Sequence, residues 1–505
     1  MAEVALGRYL NTWYRCERDS ARDLACATYV VGVQGMGKST LLANLAEQFV
    51  AGGEGVVVID TRGELAEDIA ARTRHRDRLI YVAPGEYVFP TGNRFWALNP
   101  LEFDRSQPHL ESIAVSNLLS LMDRMDLADL KRMPQLRQIL AMTAQLALAL
   151  PQLTLLDLLD LLGRPALRSK LLAHPRFRGN LAVRRFWDGY NELTPKQQRE
   201  KAASTLPRLN EFLTDEVVRH LVSQPRSTVR LAEWLDQGKL VVCNLGSRVG
   251  TDVRRLLGNF VVASLVNATY ARRTVNQGPS RTWRVIVDEF HELAGDQFAE
   301  TIEQGRKYRV FPVVAHQNLS QLSDRLTNAV ASCQLRFYLR VSPEDQGTIR
   351  RLFGAETSEG LTHLPKFQAR VHFNEGPEGR FRIETLRLPE WWAERDEELL
   401  ASARSAAADD RFTIPEGAID PAIPLSQQSP QPTPAAPVAP TQTTPEGRID
   451  ERRDIVPVPA GNGEEAATVP ARPEPAAGLP PQAHSAGLGH PRSVRRARAL
   501  DEWPA

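Results

Sequence analysis

Residues 29–49 read YVVGVQGMGKSTLLANLAEQF. A short β-branched run ends in Gly32, a glycine-rich turn follows, and TLLANLAEQF then brings apolar residues round at helical spacing. Gly32, Gly37, Lys38 and Ser39 satisfy G-x-x-x-x-G-K-[ST] between a predicted strand and a predicted helix, where a phosphate-binding loop has to sit. Glycines allow backbone conformations that turn successive N–H groups toward a phosphate, and the helix adds its positive N-terminal end. Lys38 is then the residue that reaches the terminal phosphates, and the Ser39 hydroxyl completes a magnesium shell. The expected nucleotide-binding set is Gly32, Gly35, Gly37, Lys38, Ser39 and Thr40, with ATP and Mg2+ as its ligands. A plain glycine-rich strand-to-helix turn is the blander alternative, and the flanking strand and helix argue against it.

Working outward, β-branched runs alternate with amphipathic stretches in two blocks, the pattern of a mostly parallel sheet flanked by helices. The fold class is α/β. Strands are predicted at residues 29–33, 56–60 and 79–82, and again at 240–245, 285–288, 312–315 and 335–341. Between the blocks, residues 106–230 are leucine-rich at helical period, as in QLRQILAMTAQLALAL, which reads as an inserted all-helical domain. Two alternating runs, 368–373 and 381–386, flank NEGPEG and predict a hairpin on the sheet edge. From Arg404 the composition shifts to Pro, Ala, Gln and Thr, which predicts a disordered tail over 404–505 ending in the basic run RSVRRARAL. The expected organisation is thus residues 1–105 and 231–403 as two parts of one nucleotide-binding domain, the insert between them, and the tail.

A phosphate loop needs carboxylates to hold magnesium and to polarise water. WRVIVDEF supplies a buried strand ending in Asp288, a magnesium-shell candidate, and Glu289, the candidate base. One strand later VVAHQ ends in His316 and Gln317. Gln317 is read as positioning water or sensing the terminal phosphate, and His316 as structural. Arg306, in EQGRKYRV between those two strands, reads on sequence alone as a solvated arginine.

Composition excludes several classes. The 505 residues are 42% hydrophobic, enough for sizeable cores, and 62 Lys plus Arg nearly cancel 61 Asp plus Glu. A nucleic-acid surface would have to be local; residues 164–185, RPALRSKLLAHPRFRGNLAVRR, with arginines and Phe177, offer modest support for one, while a charge run of this kind is more often a solvated helical face. The four cysteines, Cys16, Cys26, Cys243 and Cys333, show no metal-ligand spacing and fit a reducing compartment. The charged N-terminal region lacks the apolar run of a signal peptide or membrane anchor, and the apolar stretch 145–163 is broken by Pro151, Asp157 and Asp160. A cytoplasmic location is expected.

With VVGVQGMGKSTLLANL, VVVIDTRGELAEDI, ALNPLE, KLVVCNLGSRVGTDVRRLLGNFVVASL, VIVDEFHEL, GRKYRVFPVVAHQNLSQL and RFYLRVSPED in this order, residues 23–389 resemble the FtsK/HerA superfamily of hexameric DNA-pumping ATPases. Within it they resemble the TraD/TraG-type coupling proteins of conjugation and type IV secretion. The resemblance implies a RecA-like P-loop ATPase with an all-α insert, and a homo-hexamer with nucleotide between subunits. Lys38 and Ser39 match its P-loop residues, Asp288 and Glu289 its Walker B acids, Gln317 its sensor glutamine and Arg306 its finger arginine, acting on the next protomer's ATP. Asp60 and Glu64 match a recurrent acidic turn. DNA, relaxosome or secretion-channel proteins are the implied partners. Secretion members usually begin with a transmembrane segment, so membrane association here is expected only through a partner, peripheral at the inner membrane. A cytosolic HerA-like helicase or translocase and a non-translocating ATP-dependent assembly scaffold are the competing readings.

Overall fold

The computed structural model describes residues 3–9, 12–17, 24–107, 109–124, 134–150, 153–202, 213–246, 249–272, 281–293, 295–373, 380–385 and 395–416. All of them fall in one compact unit. The β-branched runs form β3 (Thr28–Val31), β4 (Gly55–Asp60), β5 (Leu79–Val82), β8 (Leu240–Asn244), β9 (Trp283–Asp288), β10 (Val310–His316) and β11 (Leu335–Tyr338). β3, β4, β8 and β9 are buried at every position, which is why they read as continuous apolar runs. These seven pair in parallel, in the order β11-β3-β10-β9-β4-β8-β5.

Beyond β11 the sheet turns antiparallel through β12 (Gln368–Phe373) and β13 (Arg380–Thr385), then β1 (Glu3–Tyr9) and β2 (Thr12–Glu17), giving eleven strands in all. The hairpin expected at the sheet edge is therefore two strands inside it. The N-terminal strands cover it, with Gly7 opposite Thr385 and Arg8 opposite Glu384. Gly7 is required there, because a Cβ would stand 2.3 Å from the Glu384 carbonyl oxygen.

Successive strand residues feed opposite faces. Tyr29, Val31, Val57, Ile59, Val285 and Val287 join one apolar cluster, while Val30, Val56, Val58 and Ile286 join the other. The second cluster is closed by α1 (Lys38–Ala51) and α2 (Glu64–Arg72), whose Leu41, Leu45, Phe49, Leu65 and Ile69 are buried. The first is closed by helices that include His109–Arg124, Pro134–Ala147, Leu155–Gly163, Pro165–Leu172 and Leu181–Asn191. Leu118, Leu140, Leu158 and Trp187 share that cluster with Tyr29 and Val57, so helical block and sheet have one continuous core.

The boundary expected at Arg404 falls inside a helix, Glu397–Ala406. Arg404 bridges Glu67 and Glu86, each at 2.9 Å, and tethers that helix to the main fold. Further on, β14 (Ile414–Pro415) pairs with β7 (Gly92–Phe95), beside β6 (Val88–Phe89), while Arg94 donates to the Thr413 hydroxyl at 3.0 Å and carbonyl at 2.7 Å. The chain is folded as far as Glu416. The remainder of the expected tail, with RSVRRARAL, lies outside the described residues.

Candidate active site

Parallel strands deliver their carboxyl ends to one rim of a sheet, and ligands bind there. β3 runs into the glycine loop, where Gly35 (φ 78°) and Gly37 (φ 101°) occupy left-handed backbone conformations. Gly37 also caps α1, with no side-chain cap and no acidic residue in the first turn. The first N–H groups of α1 are therefore left for an anion. Ser39 is exposed and Thr40 half-buried in that turn. Gly32 leaves no space for a side chain, since a Cβ would meet Leu339 Cβ at 2.7 Å. Lys38 is buried, and its Nζ donates to the Gly32 carbonyl at 2.7 Å, curled over the loop it would serve. Burial lowers its pKa, while Asp288 and Glu289 act to raise it.

The acids converge from two neighbouring strands. Asp60, ending β4, stands in register with Asp288, ending β9. Asp60 accepts from the Arg62 N–H at 2.8 Å and the Ala66 N–H at 2.9 Å, closing the turn into α2. That gives this residue of the acidic turn a definite role, whereas Glu64 is exposed in the first turn of α2. Burial first, then Asp60 and Glu289, push the Asp288 carboxyl up to about 7. A buried carboxylate so disfavoured calls for a cation, and oxygen donors of this kind suit magnesium. Asp288 and Ser39 would hold it.

Glu289 takes an unusual backbone conformation, φ 49°, at the end of β9. Strain at a non-glycine residue persists where its surroundings enforce it, commonly at active sites. Its Oε1 accepts from Gln317 Nε2 at 2.6 Å and lies 3.4 Å from Arg62 Nη2. Its Oε2 is buried with no hydrogen-bond partner among the described residues, 3.6 Å from His291 Nδ1. Burial lowers the His291 pKa, so a neutral ring faces this oxygen.

Gln317 is fixed from below. His316 is fully buried, its Nε2 2.6 Å from the Tyr29 hydroxyl on β3 and its Nδ1 3.0 Å from the Asn318 carbonyl. A neutral ring that accepts at Nε2 and donates from Nδ1 satisfies both bonds, and burial drives its pKa down to about 3. His316 thus ties the glutamine strand to the P-loop strand. The structure brings together Lys38, Asp288, Glu289 and Gln317. It does not bring Arg306 to them. That residue is exposed in a 3-10 turn, Gly305–Tyr308, and its side chain forms no hydrogen bond or ion pair among the described residues.

The candidate nucleic-acid stretch loses its aromatic. Phe177 is 1% exposed in the helical core and has no free face for a base. Arg168 is fully buried, donating to the Leu161 and Leu162 carbonyls at 2.8 and 2.9 Å and lying over the rings of Trp187 and Tyr190. Arg184 donates to the Phe177 carbonyl at 3.0 Å, and Arg176 pairs with Glu111. These arginines close helix ends.

Two contributors escaped the sequence reading. Arg62 reaches Glu289 from the DTRGEL turn. Phe367 donates its N–H to the Met36 carbonyl at 3.1 Å, and its ring packs so closely on Gly37 that a Cβ there would stand 2.7 Å from it. Phe367 holds φ at 64°, a costly conformation for an aromatic residue. No local sequence signal marks either.

Two solved structures overlie this architecture. The bacterial conjugative coupling protein TrwBdeltaN70 is 17% identical at a TM-score of 0.51, over 77% of this chain and 90% of that one. VirB4 of Thermoanaerobacter pseudethanolicus is 13% identical at 0.50, over 77% of this chain and 98% of that one. The chain shares their fold. It is a RecA-like P-loop NTPase fold, with a mostly parallel sheet flanked by helices. No protein-family model and no curated protein matches the sequence.

Proposed function

We propose that this chain is an ATP-hydrolysing, DNA-translocating motor of the HerA/FtsK type, serving as a coupling ATPase in conjugative transfer or type IV secretion. The observation that carries the hydrolytic part is Glu289, held by Gln317 through one carboxylate oxygen while the other is buried at the P-loop rim with no hydrogen-bond partner among the described residues. An oxygen so placed can take the proton of an attacking water, and Gln317 keeps it oriented. Lys38 exchanges the Gly32 carbonyl for a terminal phosphate. Magnesium, when bound, would neutralise phosphate charge developing beside Asp288 and Ser39. The exposed position of Arg306 fits action on a neighbouring protomer's nucleotide, as in a homo-hexamer.

The conjugative role rests on the sequence resemblance and on the fold shared with a conjugative coupling protein. DNA in a central channel, a relaxosome or secretion-channel partner, and a cytoplasmic location peripheral at the inner membrane through that partner go with it. Among the described residues no helix is long and apolar enough to cross a membrane.

ATP turnover measured with and without single- and double-stranded DNA tests the motor. Stimulation by DNA is expected, and indifference to both forms refutes it. Glu289→Gln should keep ATP binding and lose turnover by about two to four orders of magnitude; full activity in that variant removes the assigned base.

A further inference from the structure

The turn after β4 carries a cation whose backbone is rigidly mounted and whose tip is not. Arg62 is bound through its N–H to Asp60 at 2.8 Å. Next to it Gly63 holds φ at 92°, and a Cβ there would stand 2.6 Å from Asn244 Oδ1. On the other side a Cβ on Gly246 would stand 2.1 Å from the Arg62 carbonyl oxygen. No room is left for that backbone to shift. The side chain is 43% exposed, and its one ion pair among the described residues is the 3.4 Å approach to Glu289 Oε1.

At 3.4 Å, with the arginine end open to solvent, this contact falls short of the close bidentate geometry by which an ion pair holds a fold, so fold maintenance is a weak explanation for it. Position is a better one. A base has to lie within hydrogen-bond reach of its water, and the water within about 3–3.5 Å of the atom it attacks. A guanidinium beside the base therefore comes within reach of the phosphoryl oxygens by turning its terminal torsions. Its fork of donors matches their geometry. The geometry points to Arg62 as a catalytic residue that contacts the γ-phosphoryl group of the same protomer's ATP. This inference rests on the ATPase reading above.

The alternative is that Arg62 merely balances Asp60, Asp288 and Glu289, and full-length Arg62→Ala and Arg62→Lys variants at saturating Mg2+ separate the two. Catalytic contact predicts that Arg62→Ala lowers kcat by about 10²–10³-fold, with Arg62→Lys recovering part of the loss. It also predicts that ADP with aluminium fluoride binds more weakly while ADP alone keeps its Kd to within about twofold. A kcat within about threefold of the parent, or equal weakening of ADP with and without aluminium fluoride, overturns the assignment. Mixing Arg62→Ala with Glu289→Gln protomers should restore nothing, because every site then lacks one residue; recovery would overturn action within one protomer. If parent and Glu289→Gln hydrolyse ATP alike, the ATPase reading fails instead, and the aluminium fluoride measurement still reports on Arg62.

Discussion

Acidification tests the carboxylate pair at the ends of β4 and β9. The proposed magnesium site needs Asp288 ionised, and its pKa is pushed up to about 7. Between about pH 8 and about pH 6 the ionised fraction falls from about nine-tenths to about one-tenth, so the apparent Mg2+ affinity should drop roughly tenfold. Asp60 is the first charge, after burial, that raises this group. Asp60→Asn should therefore move the midpoint to lower pH and preserve more affinity in acid. The substitution also removes one of two acceptors, for the Arg62 and Ala66 N–H groups, costing about 1 kcal/mol of stability.

Calorimetric Mg2+ titration with a non-hydrolysable ATP analogue, corrected by a protein-free blank for the nucleotide's own proton, reads the midpoint. An affinity flat across this range, or an Asp60→Asn midpoint equal to the parent's, refutes the coupling. Folding of the metal-free protein should respond with the opposite sign. The folded value of Asp288 lies above its ordinary 3.8, so its contribution to stability is present below 3.8 and lost as pH rises through about 7.

Away from the site, Arg284 forms a bidentate pair with Glu54, at 2.8 and 3.1 Å, with 1% and 8% of the side chains exposed. Glu54→Ala leaves that buried charge without its carboxylate, although the bond to the Leu24 carbonyl remains, and should cost about 3–5 kcal/mol in urea unfolding; a loss below about 1 kcal/mol contradicts the account. Arg306→Ala should lower turnover but not ATP binding. Mixed with Glu289→Gln protomers it should regain activity, since an intact Glu289 then meets an intact Arg306 across an interface; no recovery removes the trans assignment.

The parallel strands were legible because burial on both faces leaves an unbroken β-branched run, as in VVVID and WRVIVD. The P-loop was legible because its chemistry is local. Gln317 could be named from its place after a strand, but its partner could not, since Glu289 lies 28 residues away and only strand order unites them. Arg62 and Phe367 act by proximity of the same kind. The strands β1 and β2 escaped because an edge ribbon carries a weak apolar pattern, and here it joins the sheet through β1, whose partner β13 is remote in sequence. Phe177 misled because arginines around an aromatic residue read alike whether the ring faces water or a core. The tail boundary slipped because alanine-rich ELLASARSA resembles the low-complexity sequence beyond it while remaining a sound helix former.

The continuous core beneath the helical block has a mechanical meaning. Leu118, Leu140 and Trp187 belong to the same packed cluster as Tyr29 and Val57, the strand residues that lead toward the catalytic rim. No slip plane separates the helical block from the sheet. Sliding one over the other would uncover leucines at about 1.5–3 kcal/mol each. On the motor reading proposed above, a stroke driven by small rearrangements at Lys38 and Glu289 would pass through this body as a rigid tilt, with its compliance at contacts between protomers.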